Sequence, residues 1–320
     1  MSVLQFSRKS EVTAEEPPVV EIEKPIPLKT RTVEALKPSK LPKIIRNYLI
    51  VAFVVLAVLA YPIMIFQSNK IGDELSFPES INQNWSSPWA GVGTKLLERE
   101  VDKNGWVPGA HAWMPQSRLT AMPVYQNSIA YAIGDFAELV NYQIGGDSDS
   151  DLNTIALLLS QDITTDEIYA AIEGLSSYDG GVRLHRYNDT LTAQRYAERV
   201  SLMASWLRQS SSELSSIVNA EDRKTFDRAA TEAVYRAKAR AYMAHRFLSF
   251  MQAPVGLSIK NEHSDALVQL EKVARFSPLF VVNGNADGML FSSHPATLNH
   301  FVDGAEAELQ KVVKTVEAQY

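Results

Sequence analysis

The stretch Asn47 to Phe66, NYLIVAFVVLAVLAYPIMIF, holds twenty residues and no charged side chain. A helix rises about 1.5 Å per residue, so such a run covers about 30 Å, the thickness of a bilayer's hydrocarbon core. A soluble core helix of that length would carry a polar face, and this one carries none. Tyr48 and Tyr61 lie near its two ends, where amphipathic rings favour the membrane interface. Pro62 falls in the last turn, which membrane helices tolerate. The run predicts one transmembrane helix over residues 44–66, a tail before it (1–43) and a folded domain after it (67–320). A cleaved signal peptide is the competing reading, with Val58-Leu59-Ala60 as its small-residue site. The leader would be unusually long, the apolar run exceeds a signal's hydrophobic segment, and Pro62 would sit just past the cut.

The flanks set an orientation. Residues 27–46 carry Lys29, Arg31, Lys37, Lys40, Lys43 and Arg46 against Glu34, whereas residues 67–86 carry Lys70 against Asp73, Glu74 and Glu79. Basic flanks stay on the cytoplasmic side. The expectation is a cytoplasmic amino end and a large carboxyl domain outside, in the periplasm of a Gram-negative bacterium. The first 46 residues are net +3 and the part beyond Phe66 is net −9, within a whole-chain charge of −6. An acidic outer domain argues against a nucleic-acid partner. The chain has no cysteine, which excludes disulfides, thiolate chemistry and Cys-ligated metal centres.

The tail mixes charge with Pro17, Pro18, Pro25, Pro27, Pro38 and Pro42, and proline removes backbone donors and disfavours helix before it. It reads as an extended, disordered cytoplasmic leader, with Glu23 to Pro27 the one place for a docking motif. The outer domain reads as all-α, a multi-helix bundle with a long antiparallel hairpin. Ser86-Ser87-Pro88-Trp89 starts a helix that ends at Asn104-Gly105; a Trp-rich loop leads to a helix opened by Pro123 and closed by Gly145-Gly146. Short helices follow near Ile155 and over 165–176, and Gly180-Gly181 breaks the pattern. Two long helices over about 190–218 and 220–252 form the hairpin, the second with an alanine-rich face. Helices over 264–276 and 296–318 complete the chain, and Leu279 to Val282 is the one short strand signal.

Two segments carry a resemblance. EREVDKNGWVPGAHAWMPQSRLTAMPVYQ runs from Glu98 to Gln126, and SPLFVVNGNADGMLFSSHPA from Ser277 to Ala296. With the apolar helix ahead of them, they resemble the proteobacterial inner-membrane family catalogued as domain of unknown function 2333, from about residue 45 to the carboxyl end. The matching pieces are Asn104 to Pro108, Met122-Pro123, Val282-Asn283-Gly284, Asp287, Ser293 and His294; residues 145–190 match poorly, so the chain reads as a divergent member. The resemblance implies a single-pass envelope protein and brings no activity with it.

Candidate sites are few. Asn283, Asp287 and His294 fall within twelve positions around a glycine turn, where a His–Asp pair could serve acid–base work. The competing reading is a tight turn stabilised by Asp287, with Ser293 capping the last helix. The loop with Trp106 and Trp113, together with Trp89, could form an exposed aromatic patch for a partner, sugar or lipid, or these tryptophans could pin the loop to the core. The alternating aspartates from Asp147 to Asp151 lack the glycine and glutamate of a calcium loop and read as a helix start. No His-Glu-x-x-His and no Gly-x-Ser-x-Gly occurs. No metal, cofactor or catalytic constellation is therefore expected. Arg223, Arg228, Arg236 and Arg240 are expected on a solvated face of the hairpin. The leading expectation is a non-enzymatic envelope scaffold that binds another envelope protein or itself, held in the membrane by one helix. The alternatives are a binding module for a small molecule, lipid or cell-wall fragment, in a groove edged by the Trp106 loop and the 283–294 segment, and a hydrolase using Asp287 and His294.

Overall fold

The computed structural model describes residues 43–68, 71–72, 74–75, 84–111, 113–146, 150–222, 224–278, 280–284 and 293–319. The chain divides into two units, residues 1–53 and 54–320. The described part of the first unit is the beginning of helix α1, Lys43–Ser68. Described side chains of α1 run from residue 45 to 60, about 24 Å of helix. Among the described residues no helix is long and apolar enough to cross a membrane. Within that described stretch, the large apolar side chains from Ile45 to Leu59 are exposed around the whole circumference of α1.

The second unit is all-helical, with no strand among its described residues. Its helices are α2 (Pro88–Glu98), α3 (Ala121–Ile144), α4 (Asp151–Leu158), α5 (Thr165–Arg183), α6 (Ala193–Val218), α7 (Arg228–Phe250), α8 (Lys260–Ala274) and α9 (His294–Glu317). Helices α6 to α9 pack in sequence and α9 returns against α6, closing a four-helix bundle. Polar pairs fix the directions. Arg236 meets Glu213 at 2.8 Å and Arg240 meets Ser210 at 3.2 Å, so α6 and α7 run antiparallel. Arg208–Glu306, Ser211–Asp303 and Asn299–Ser215 do the same for α6 and α9. The antiparallel hairpin read from the sequence is thus α6–α7. Its second helix begins at Arg228 rather than near Ala220, where the Asp227 carboxylate caps it by accepting from the Ala229 N–H at 3.1 Å.

Helices α2 to α5 form a second group, joined to the bundle where α3 lies along α7. Phe136 of α3 meets Phe247 of α7 with ring centroids 4.4 Å apart, and Trp89 of α2 stands 5.2 Å from Phe136. These rings are buried and link the two groups through one continuous core. The expectation of a break at Gly180-Gly181 fails: α5 continues to Arg183. Its start is fixed by a capping box between Thr164 and Glu167, and burial of Tyr178 and Asp179 outweighs the weak helix preference of glycine. Gly181 is there for space, because a Cβ would lie 2.4 Å from the Tyr187 ring. Gly145, at φ 71°, does terminate α3. Leu279 to Val282 supplies no described strand; the Asn283 N–H donates instead to the Thr225 carbonyl at 2.9 Å.

Candidate functional site

The described members of the 283–294 segment hold one another. Asn283 is buried, and its Oδ1 accepts from the Ser293 hydroxyl at 3.4 Å. Ser293 in turn caps α9 by accepting from the Ala296 N–H at 3.3 Å. The His294 N–H donates to the Val282 carbonyl, and its Nδ1 accepts from the Val282 N–H at 3.0 Å. That bond places the imidazole proton on Nε2. The ring meets Phe276 edge-on at 6.1 Å. Asp287 lies outside the described residues. Ser293 thus caps α9, and Asn283 and His294 tie the start of that helix to residues 282–283.

The three tryptophans separate. Trp89 is in the core, its Nε1 donating to Asp189 at 3.3 Å. Trp106 is half-buried and pins the loop by donating to the Ile163 carbonyl at 2.8 Å. Trp113 is 76% exposed. Neither Trp106 nor Trp113 shares a described cleft with Asn283 or His294. The two resembling segments do meet elsewhere. Arg118 to Ala121 and Phe280-Val281 line a cleft of about 360 Å³, flanked by Phe226 and Phe280, 67% and 66% exposed.

Sequence reasoning missed two buried ionic networks. Glu100, fully buried, accepts from Arg99 Nε at 2.9 Å and Nη2 at 2.6 Å, from Asn104 at 3.0 Å and from Gln126 at 3.2 Å. Arg99 also donates to the Tyr242 hydroxyl at 2.9 Å. Beside this network the chain following α1 is gripped by its carbonyls. Tyr125 donates to Gly72 at 2.9 Å, Tyr242 to Glu74 at 3.1 Å, and Arg246 to Leu75. Burial raises both tyrosine hydroxyls above their ordinary value, so they remain proton donors. The second network pairs Arg199 with Asp189 at 2.5 Å, both nearly enclosed. Asp189 also accepts from the Ser87 hydroxyl at 2.8 Å, which therefore does not cap α2, and Asp179 accepts from the Ser87 N–H at 2.8 Å. The partners lie up to 102 positions apart. A charged residue inside an apolar helical stripe, as Arg199 is beside Val200 and Met203, was the available signal.

Two clefts open along one face of α3. At one end Trp106, Pro108, Asn127 and Asp162 border a cleft of about 300 Å³. At the other, Asp135, Trp206, Glu213, Arg236 and Arg240 border one of about 250 Å³. Tyr131 belongs to both walls. Asn127, Tyr131 and Asp135 are four residues apart and share a helix face. Trp206 donates to Asp135 Oδ2 at 2.9 Å, and Glu213 holds both Arg236, at 2.8 Å, and Arg240, at 3.3 Å. Burial raises the Asp135 carboxyl and lowers the Arg240 guanidinium from their ordinary values. Asn127 Oδ1 is buried with no hydrogen-bond partner among the described residues. Arg236 and Arg240 are thus half-enclosed by α6, where a solvated face was expected; Arg228 is solvated and paired with Glu232, and Arg223 lies outside the described residues.

Among the described residues no three His, Asp or Glu side chains group so as to hold a metal ion. No family model, no curated protein and no solved structure matches this chain.

Proposed function

We propose that this chain is a single-pass inner-membrane protein whose helical outer domain works by contact with another envelope protein or with a second copy of itself, without chemistry of its own. The observation that carries the reading is α1: apolar side chains exposed on every side from Ile45 to Leu59. Water disfavours such a surface and hydrocarbon does not, at about 25 cal/mol per Å² of apolar area. The basic flank before α1 and the acidic one after it support a cytoplasmic amino end. The resemblance to the inner-membrane family of unknown function agrees with that placement. The partner surface is read from the cleft between Phe226 and Phe280, where two exposed rings flank Arg118, a pattern enriched at protein interfaces.

The test is fractionation of cells expressing the full chain, with a carbonate wash and protease added from the periplasmic side. Recovery in the washed membrane, with the outer domain digested and the tail protected, is the expected outcome. Recovery in the soluble fraction would end the membrane reading. Photo-crosslinking in cells from Trp113 and Phe280 then addresses the partner. Capture of one protein, or of the chain itself, from Phe280 supports the surface; adducts from neither position remove it.

A further inference from the structure

The geometry points to a carbohydrate-binding groove along α3, taking a short, neutral oligosaccharide between Trp106 and Arg240. Tyr131 lines both clefts, of about 300 and 250 Å³, and from Asn127 to Asp135 the helix rises about 12 Å. A ligand reaching from one cleft past Tyr131 into the other is an extended chain of rings rather than one compact group. The groove's walls alternate between flat apolar surfaces and planar polar groups. Trp106 is held in one orientation by its bond to Ile163, and Tyr131 stands partly exposed beside it. Such rings receive the C–H face of a sugar, while amide, carboxylate and guanidinium groups pair with its hydroxyls.

The decisive group is Asn127. Its Oδ1 is buried with no donor among the described residues, and a buried acceptor gains by finding one. It lines the groove, where a ligand hydroxyl can supply the missing donor. Asp135 adds a second acceptor, with Oδ2 already engaged by Trp206.

The other occupants fit less well. An anion would meet Asp162, Asp135 and Glu213, and the two arginines present are both already paired with Glu213. An extended peptide docks on an open strand edge, and these walls are helices whose backbone groups bond within the helix. An amphipathic helix needs a continuous apolar trough, and this groove is interrupted by charge at its Arg236 end. A ligand rich in hydroxyls and without net charge satisfies each part of the lining.

The experiment titrates the full-length chain in detergent with chitotriose, maltotriose and cellotriose, and with trialanine, following tryptophan fluorescence and confirming by calorimetry. At least one trisaccharide is expected to bind saturably. Asn127→Ala, Tyr131→Ala and Trp106→Ala are each expected to weaken it tenfold or more, with far-ultraviolet circular dichroism unchanged. Tyr131 is on the surface, so its variant remains informative if Trp106→Ala fails to fold. No saturable binding of any trisaccharide overturns the inference, as does binding that Asn127→Ala and Tyr131→Ala leave intact. Tighter binding of trialanine, sensitive to the same substitutions, overturns it in favour of a peptide groove. None of these outcomes depends on whether α1 spans a membrane.

Discussion

Glu100→Ala tests a charge pair buried inside the domain. Glu100 is fully buried and Arg99 is 16% exposed, and four donors converge on the one carboxylate. Removing it leaves the Arg99 guanidinium buried with the Tyr242 hydroxyl as its remaining partner in this network. Breaking a buried pair from one side costs about 3–5 kcal/mol, because desolvation of the surviving charge is no longer offset. Glu100→Gln keeps the shape and loses the charge, so about 1.5–3 kcal/mol is expected, the worth of hydrogen bonds to a charged group. Replacing both partners, as Arg99→Met with Glu100→Leu, removes the stranded charge and should cost less than Glu100→Ala alone. Gln126 still donates to the Gly105 carbonyl at 2.9 Å in that variant, so its amide is not orphaned. Urea unfolding of the detergent-solubilised chain, followed by circular dichroism, gives the three differences from midpoints at constant slope. A loss below about 1 kcal/mol for Glu100→Ala, or a double variant weaker than the single one, would refute the reasoning.

Phe136→Ala removes a buried ring packed by Trp89 and Phe247, and is expected to cost about 3–5 kcal/mol in the same assay. Gly181→Ala improves helix preference by about 1 kcal/mol but sets a Cβ 2.4 Å from the Tyr187 ring. A net destabilisation, relieved in Gly181→Ala with Tyr187→Ala, is the expected result. His245 gives a pH dependence. Burial first, then the neighbouring Arg246, lowers its imidazole from 6.5 to about 4. The unfolded chain therefore takes up the proton first: stability is complete above about pH 6.5 and falls towards pH 4, by about 3 kcal/mol. Unfolding of His245→Gln across that range should lack this slope.

The helices were legible because apolar residues recur at helical spacing, and their termini were legible where the signal was local. Gly145 at the end of α3 and the Ser293 cap of α9 are of that kind. The failures have one cause, packing against residues outside the helix being read. Gly180-Gly181 reads as a break until Tyr187 is folded back over it. Ser87 reads as the cap of α2 until Asp189 takes its hydroxyl. The Arg236–Arg240 face reads as solvated until Glu213 of α6 is placed opposite. The Trp106 loop reads as a patch or as a pin, and Trp106 is held to the Ile163 carbonyl; the cleft beside it is completed by Asn127 and Tyr131 of α3, which look like ordinary surface positions of a helix. Nothing in a linear reading marks an amide whose oxygen is left without a donor.

The grip on Gly72, Glu74 and Leu75 leaves little sequence signal, because Tyr125, Tyr242 and Arg246 hold backbone carbonyls that any residue would offer. Gly72 is constrained by space, since a Cβ there would stand 3.3 Å from the Arg99 guanidinium carbon, and Ile71 and Leu75 pack against the core. The grip has a mechanical consequence. It sets how readily the segment opens away from the helices that hold it. Each neutral hydrogen bond of this kind contributes about 1 kcal/mol, so Tyr125→Phe with Tyr242→Phe should release the segment by about 2 kcal/mol, about a thirtyfold gain in its open population. Limited trypsin digestion after Lys70 measures that opening directly. A clear acceleration in the double variant, with the rest of the domain resistant, is expected. An unchanged rate would mean that the carbonyl contacts do not hold the segment.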